Sequence, residues 1–557
     1  MKLNSLKKVT GLIFASGLMI SCASGPKIDA AALTNNTIDS KKSSLSEDDR
    51  ESWSHLDLKQ DTIPGMSVNR AYEELIKDYE GSEVIVAIVD SGIDIEHEDL
   101  KDVIWVNEKE TKNNNVDDDN NGYVDDIHGW NFLGDIVEEN LESTRIVRDF
   151  EDKYKGKTAA DISAEDKAEF EMYKAAASEL KEDKAEAKAN LDYYVSLKDQ
   201  VEGAQKTLTD SLKGQDLTIE NLNNLESDDE KTNQKKMLLL NIMSNVGEDI
   251  DAATEQLQGG IDYYNNKSES HFNLDLNARA EKLGDDENDF SVQYYGNNQV
   301  TGPDPKKEDA KHGTHVAGIV GASRHNDIGM NGVAENVKIM AVRAVPDGDE
   351  YDKDITMAIR YAVDNGAKVI NTSFGKYHSP YPKKVNEAIA YAAKHDVLIV
   401  NAAGNEGLDL DEKRVYPNDQ WPGQEEEIVS NFINVGSIAP SYGKELVSGF
   451  SNYGQESVDV FSPGSQIYST TPLDEYEFLQ GTSMASPNVA GVAAVIRSLY
   501  PKLSAEQVKD AIVNSGLTAD IDVIVGGNAE DMRPFSTLSK SGKMVNMYNA
   551  IIYASKL

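Results

Sequence analysis

The sequence predicts an α/β protein with a doubly wound, mainly parallel sheet and an inserted α-helical hairpin subdomain. Three observations carry this. Val84-Ile85-Val86-Ala87-Ile88-Val89 is an unbroken apolar run ending on Asp90, the pattern of a strand buried on both faces. Further on, strand-like runs at 337–342, 368–371 and 397–401 alternate with helix-like runs at 355–365 and 385–395, the rhythm of βαβ crossovers. Between these regions, from about Phe132 to Pro303, apolar residues recur at spacings of three and four, which makes amphipathic helices.

In that interval Ser163-Ala164-Glu165-Asp166 has the form of a helix-start capping box. It precedes a stripe of Phe170, Tyr173, Ala177, Leu180, Ala187, Leu191, Tyr194 and Val201. A second stripe follows beyond Gly214, from Leu239 through Met243, Val246, Ile250 and Ala253 to Leu257. Two such helices predict an antiparallel hairpin. The plain reading is that each stripe buries the other; the sharper one is a docking arm or lid.

The chain is 557 residues long with 39% hydrophobic content, enough for one large core and additional structure. Its net charge of −42 argues against nucleic acid as a partner, because phosphates would be repelled. Residues 1–22 read as a targeting segment: Lys2, Lys7 and Lys8 precede a short apolar run that ends at Cys22, the only cysteine, and that run is too short to span a bilayer. Residues 23–52 are polar and read as a flexible tether.

Three short motifs carry chemistry. Gly481-Thr482-Ser483-Met484-Ala485-Ser486-Pro487 leads into an apolar helix-like run, and the rising helix would aim free N–H groups at the Ser483 hydroxyl. His312-Gly313-Thr314-His315 stands where a polar loop enters a small-residue helix. Asp90-Ser91-Gly92 ends the first strand, at the edge where open α/β sheets place their sites. A serine becomes nucleophilic only beside a base, and the base needs an orienting acid. In this order the three motifs resemble those of the subtilisin-like serine proteases (peptidase S8, subtilases).

The resemblance implies Asp90 as orienter, His312 as general base, Ser483 as nucleophile and Asn405, in Ala402-Ala403-Gly404-Asn405, as oxyanion donor. His315 would be a bystander. It further implies that Ser373, Phe374 and Gly375 pair with the substrate backbone. Ala402, Ala403 and Gly404 would form the opposite pocket wall, with Tyr416-Pro417 near its base. The segment before Cys22 resembles a bacterial lipoprotein signal, which implies lipidation at Cys22 and an exported enzyme tethered to the membrane on its periplasmic or cell-surface side. The catalytic domain would then comprise residues 53–131 and 304–557, split by an insertion at 132–303; His312 stands 222 positions after Asp90.

Asp117-Asp118-Asp119-Asn120-Asn121-Gly122 matches the opening of a calcium loop. This predicts a structural calcium held by Asp117, Asp119, Asn121 and Asp126, with a solvated acidic turn as the alternative. No cofactor is expected for catalysis. The expected activity is a serine endopeptidase acting on polypeptides. The rival is a catalytically silent surface lipoprotein that binds a partner through its helical insertion. The sequence leaves the oligomeric state open.

Overall fold

The computed structural model describes residues 25–34, 45–246, 250–424 and 426–557; Cys22 and the signal-like segment lie outside them. The first apolar run forms β1 (Val84–Asp90), followed by β2 (Gly129–Asn131), β3 (Val337–Arg343), β4 (Val369–Thr372), β5 (Leu398–Ala402), β6 (Phe432–Ile438) and β7 (Val460–Pro463). A hairpin, β8 (Ile467–Thr471) and β9 (Glu475–Leu479), comes next. It is followed by β10 (Leu517–Thr518), the hairpin β11 (Asp522–Val525) and β12 (Asn528–Pro534), and β13 (Lys543–Met544).

Nine strands make one sheet in the order β10-β13-β7-β6-β5-β4-β1-β3-β2. All neighbours are parallel except β10 and β13. The winding reverses at β1, which has β3 on one side and β4 on the other. Asp90 therefore ends its strand at the switch point, where the crevice of such sheets opens.

Side chains alternate along β1. Val84, Val86 and Ile88 enter a core shared with the helices Lys311–Gly321 and Thr482–Leu499. Ala87 and Val89 face the helices Asp352–Asp364 and Pro382–Lys394 on the other side. The expected elements thus form, with ends shifted by one to three residues, and the doubly wound α/β sheet with a helical insertion is the observed architecture.

The insertion is more elaborate than a two-helix hairpin. Its first stripe becomes one helix, Lys167–Leu212, of 46 residues, roughly 70 Å at about 1.5 Å per residue. The second stripe divides into Glu230–Val246 and Ile250–Asn266. Both pack on the long helix, and Val201, Leu208, Leu239 and Met243 share a core towards the far end. An unpredicted helix, Glu142–Tyr154, stands at the root and joins Phe170, Tyr173 and Leu180 in a second core. Ser163 and Asp166 do exchange hydrogen bonds, Ser163 Oγ to Asp166 Oδ2 at 2.7 Å and Asp166 N to Ser163 Oγ at 3.1 Å. They close the turn before the helix instead of capping it.

The stretch read as a tether is partly docked. Tyr500 Oη donates to Pro26 O at 2.9 Å, Leu33 N donates to Asn549 Oδ1 at 2.6 Å, and Ile28 and Leu33 pack on the main core. A few apolar side chains in a polar segment suffice for this. No helix of the described residues is long and apolar enough to cross a membrane.

Candidate active site

Asp90 is held by the end of β1, and its Oδ1 accepts from Ser91 N at 2.7 Å. The same oxygen lies 2.7 Å from His312 Nδ1. His312 occupies the first turn of Lys311–Gly321, and the close approach depends on its neighbour: a Cβ on Gly313 would lie 2.2 Å from Gly92 O and 3.1 Å from Asp90 Cβ. The acid is buried, whereas the imidazole side chain stays 39% exposed. Burial opposes a charged imidazole, but the Asp90 carboxylate and its hydrogen bond outweigh it, so the His312 pKa is raised. An acid on Nδ1 leaves Nε2 directed elsewhere, the tautomer a general base needs.

Ser483 lies one residue inside the helix Thr482–Leu499, after Gly481 at φ +152°. Pro487 stands four residues on and has no N–H, so the Ser483 carbonyl loses its intrahelical donor. Ser373 Oγ replaces it, donating to Ser483 O at 2.8 Å, and Ser373 O accepts from Ser483 Oγ at 3.1 Å. Asn371 Nδ2 donates to Ser373 Oγ at 2.9 Å, and the Ser486 hydroxyl lies 2.9 Å from it. The end of β4 is thereby locked to the serine turn. Ser373 and His312 line one cleft of about 900 Å³, together with Ser91, Val345, Asp347 and Leu479.

Asn405 follows β5 by three residues. Its Oδ1 accepts from Thr482 N at 2.8 Å and from Thr482 Oγ1 at 3.0 Å. A backbone N–H can only donate, so the atom facing it is the amide oxygen, and Nδ2 is the end left to donate. The turn is shaped by Gly404 at φ +102°, where a Cβ would meet Asn452 Nδ2 at 2.3 Å. Asn452 braces it, donating to Ala403 O at 2.9 Å and accepting from Leu408 N at 2.8 Å.

The sequence profile of the Subtilase family matches residues 81–159 and 203–537, most of the chain. The chain belongs to the subtilase family. Relatives of this subtilase include the thermophilic serine proteinase of Bacillus sp. (strain AK1), 36% identical over 249 residues, covering 43% of this chain and 52% of the relative. Subtilisin DY of Bacillus licheniformis is 36% identical over 214 residues, 38% of this chain and 73% of its own. The major intracellular serine protease of Bacillus subtilis (strain 168) is 36% identical over 252 residues, 43% and 75% respectively. The match thus spans about half the length of the first relative and about three quarters of the other two. The family is one of serine endopeptidases, hydrolases of polypeptides.

Other expected residues of the subtilase lie as follows. Phe374 is buried and belongs to the same core cluster as Ile355 and Ile389. Gly375 stands with a would-be Cβ 3.1 Å from Val415 Cγ1, and the next residue pairs with Tyr416, Lys376 N donating to Tyr416 O and Tyr416 N to Lys376 O, both at 2.9 Å. The Ala402 and Ala403 side chains are buried and line a cavity of about 30 Å³ with Val415 and Pro417. That cavity is water-sized.

His315 is buried, with Nε2 3.1 Å from both Ile467 O and Glu477 O. Burial lowers its pKa to about 3, so it holds the β8–β9 hairpin as a neutral ring.

In the acidic loop, Asp126 departs from the expected ligand set. Its carboxyl accepts from Tyr361 Oη at 2.7 Å, Asn107 Nδ2 at 2.9 Å and Asn121 Nδ2 at 3.0 Å, and burial raises its pKa to about 6. The group of acids that does converge is Glu110, Asp117 and Asp119, with oxygens within 4.8 Å of one another. Glu110 lies outside the motif, with no local spacing to signal it.

Proposed function

We propose that this subtilase is an exported serine endopeptidase that cleaves peptide bonds through Asp90, His312 and Ser483 by way of an acyl-enzyme. Ser483 Oγ attacks the carbonyl carbon of the scissile bond as His312 accepts the hydroxyl proton. The Asp90 carboxylate steadies the imidazolium. Asn405 Nδ2 and the Ser483 N–H donate to the new oxyanion. His312 then passes the proton to the leaving amine, and water, deprotonated by the same ring, releases the acyl group.

The observation that supports this reading most is the 2.7 Å contact of Asp90 Oδ1 with His312 Nδ1, at the mouth of a cleft that also reaches Ser373, the residue hydrogen-bonded to Ser483. The substrate backbone would run along Ser373, Phe374 and Gly375, with Ala402, Ala403 and Gly404 opposite. Replacing Ser483 with Ala is expected to lower casein hydrolysis by about 10⁶-fold and to abolish labelling by a fluorophosphonate. Full hydrolysis by Ser483→Ala would refute the assignment.

Export and anchoring rest on the sequence around Cys22. With that cysteine acylated, the enzyme sits at a membrane surface. Cys22→Ser should then move the protein from the membrane pellet to the soluble fraction, and a variant that stays in the pellet would count against the anchor.

A further inference from the structure

One buried ammonium links the two chain segments that continue from cleft-lining residues, and the insertion supplies part of its counter-charge. Lys376 lies three residues beyond Ser373. Its Nζ is 2.6 Å from Glu142 Oε2 and 2.9 Å from Asp352 Oδ1, and it donates to Glu350 O at 2.7 Å. Ser373 lines the cleft from one segment of the chain; Val345, Pro346 and Asp347, which lead into Glu350, line it from a second.

Glu142 begins the root helix of the insertion and grips the second segment as well. Its N–H donates to Asp349 Oδ2 at 2.7 Å, and its carboxylate accepts from Arg145 at 2.6 Å. Arg145 in turn donates to Asp349 O at 2.8 Å and Glu350 O at 3.0 Å. Just upstream, Glu139 N donates to Asp347 O and Asp347 N to Val137 O, both at 2.8 Å. Buried charges of this kind are tolerated only when each finds its partners, so the cluster favours one arrangement and resists others. None of the proton transfers above uses it.

We propose that Glu142 is a positioning residue for peptide binding. Through Lys376 and the 349–350 backbone it fixes the separation of these two cleft-lining segments, which makes the root of the insertion part of the substrate-binding apparatus. The substrate class this fits is an extended peptide that occupies several residues of the cleft. A ligand that reaches only Ser483 does not depend on the spacing. The proposal rests on the protease reading given above.

The test counts active sites by fluorophosphonate labelling and then measures per-site kinetics for Glu142→Gln and Lys376→Arg. Two substrates are compared, a single-residue ester and an extended peptide. KM for the peptide is expected to rise about tenfold while kcat changes less than about twofold, and KM for the ester to change less than about twofold. The Lys376→Arg variant keeps the charge but alters its geometry, so the outcome does not hang on one substitution. Equal losses on both substrates, unchanged KM in either labelled variant, or no labelled sites in both variants would each overturn the proposal. A wild-type protein that takes no label would instead defeat the protease reading, and this proposal with it.

Discussion

Asp90 Oδ1 and His312 Nδ1 stand 2.7 Å apart, although the two residues are 222 positions apart in the chain. The carboxylate raises the imidazole pKa against the opposing effect of burial. With Asn at position 90, that support is lost and the ring can settle in the wrong tautomer. Asp90→Asn is expected to lower kcat by about 10⁴-fold and to move the acid limb of kcat/KM to lower pH. The sign for stability follows from the raised folded pKa. The pair's contribution is fully present below the ordinary histidine value and fades as pH rises through the folded one. The melting-temperature gap between wild type and Asp90→Asn should therefore be wider in mild acid than at alkaline pH. A pH profile and a gap that do not move would dismiss the pair.

The same contact depends on a hydrogen atom at position 313. A methyl group there would sit 2.2 Å from Gly92 O, so the Asp90–Gly92 turn must retreat from the histidine helix. Gly313→Ala should lower kcat by about 10²-fold or more, since a shift of about 1 Å in a catalytic group has that effect. KM should change little, and unimpaired turnover would show that the turn yields without disturbing the pair.

The strands were legible because their runs are apolar on both faces, and Asp90, His312, Ser483 and Asn405 stood out because each ends or begins such a run. What escaped the sequence are contacts made across the fold. Pro487 gives no local hint that it hands the Ser483 carbonyl to Ser373. Glu142, Arg145 and Lys376 have no local spacing that signals burial, and the root helix buries them together. The second insertion stripe kept its rhythm through Val246 and Ile250, so periodicity alone ran it as one helix; the described residues give Glu230–Val246 and Ile250–Asn266, and Gly247-Glu248-Asp249 lie outside them.

At the acidic loop, Glu110 Oε1 accepts from Asp118 N at 2.8 Å and Asp119 N at 3.0 Å, which brings a third acid beside Asp117 and Asp119. Three converging carboxylates repel one another unless a hard cation joins them. These residues fit calcium, with Asp126 occupied elsewhere. Calcium should raise the melting temperature of the wild type, and Glu110→Gln should reduce that increase. An equal increase in both would leave Glu110 out of the site, and none in the wild type would leave the loop a solvated turn.

Arg279 ties the C-terminal end of the insertion to the catalytic part. It donates to both oxygens of Asp354 at 2.8 Å and to Asp285 at 2.7 Å. All three side chains are buried, so removing the guanidinium leaves the Asp354 carboxylate with Tyr295 Oη but no cation, while Asp285 keeps Lys353. Arg279→Met is expected to destabilise the protein by about 3–5 kcal/mol, read by urea unfolding. A loss under about 1 kcal/mol would mean that water reaches the carboxylates.

His315 stands three residues beyond His312 and is shifted the other way. Burial holds its pKa down to about 3, so the folded state refuses a proton that the unfolded chain accepts near pH 6.5. The unfolded state then binds more protons, and stability falls as pH drops below that value. At pH 5 the expected loss from this ring is about 2 kcal/mol relative to pH 8. Glutamine can still donate from its amide towards Ile467 O and Glu477 O and cannot be protonated in this range. His315→Gln should therefore be less stable than wild type at pH 8, and the difference should narrow steadily towards pH 5. Melting temperatures across that range check it; a constant difference would mean that the ring takes up its proton without opening the β8–β9 hairpin.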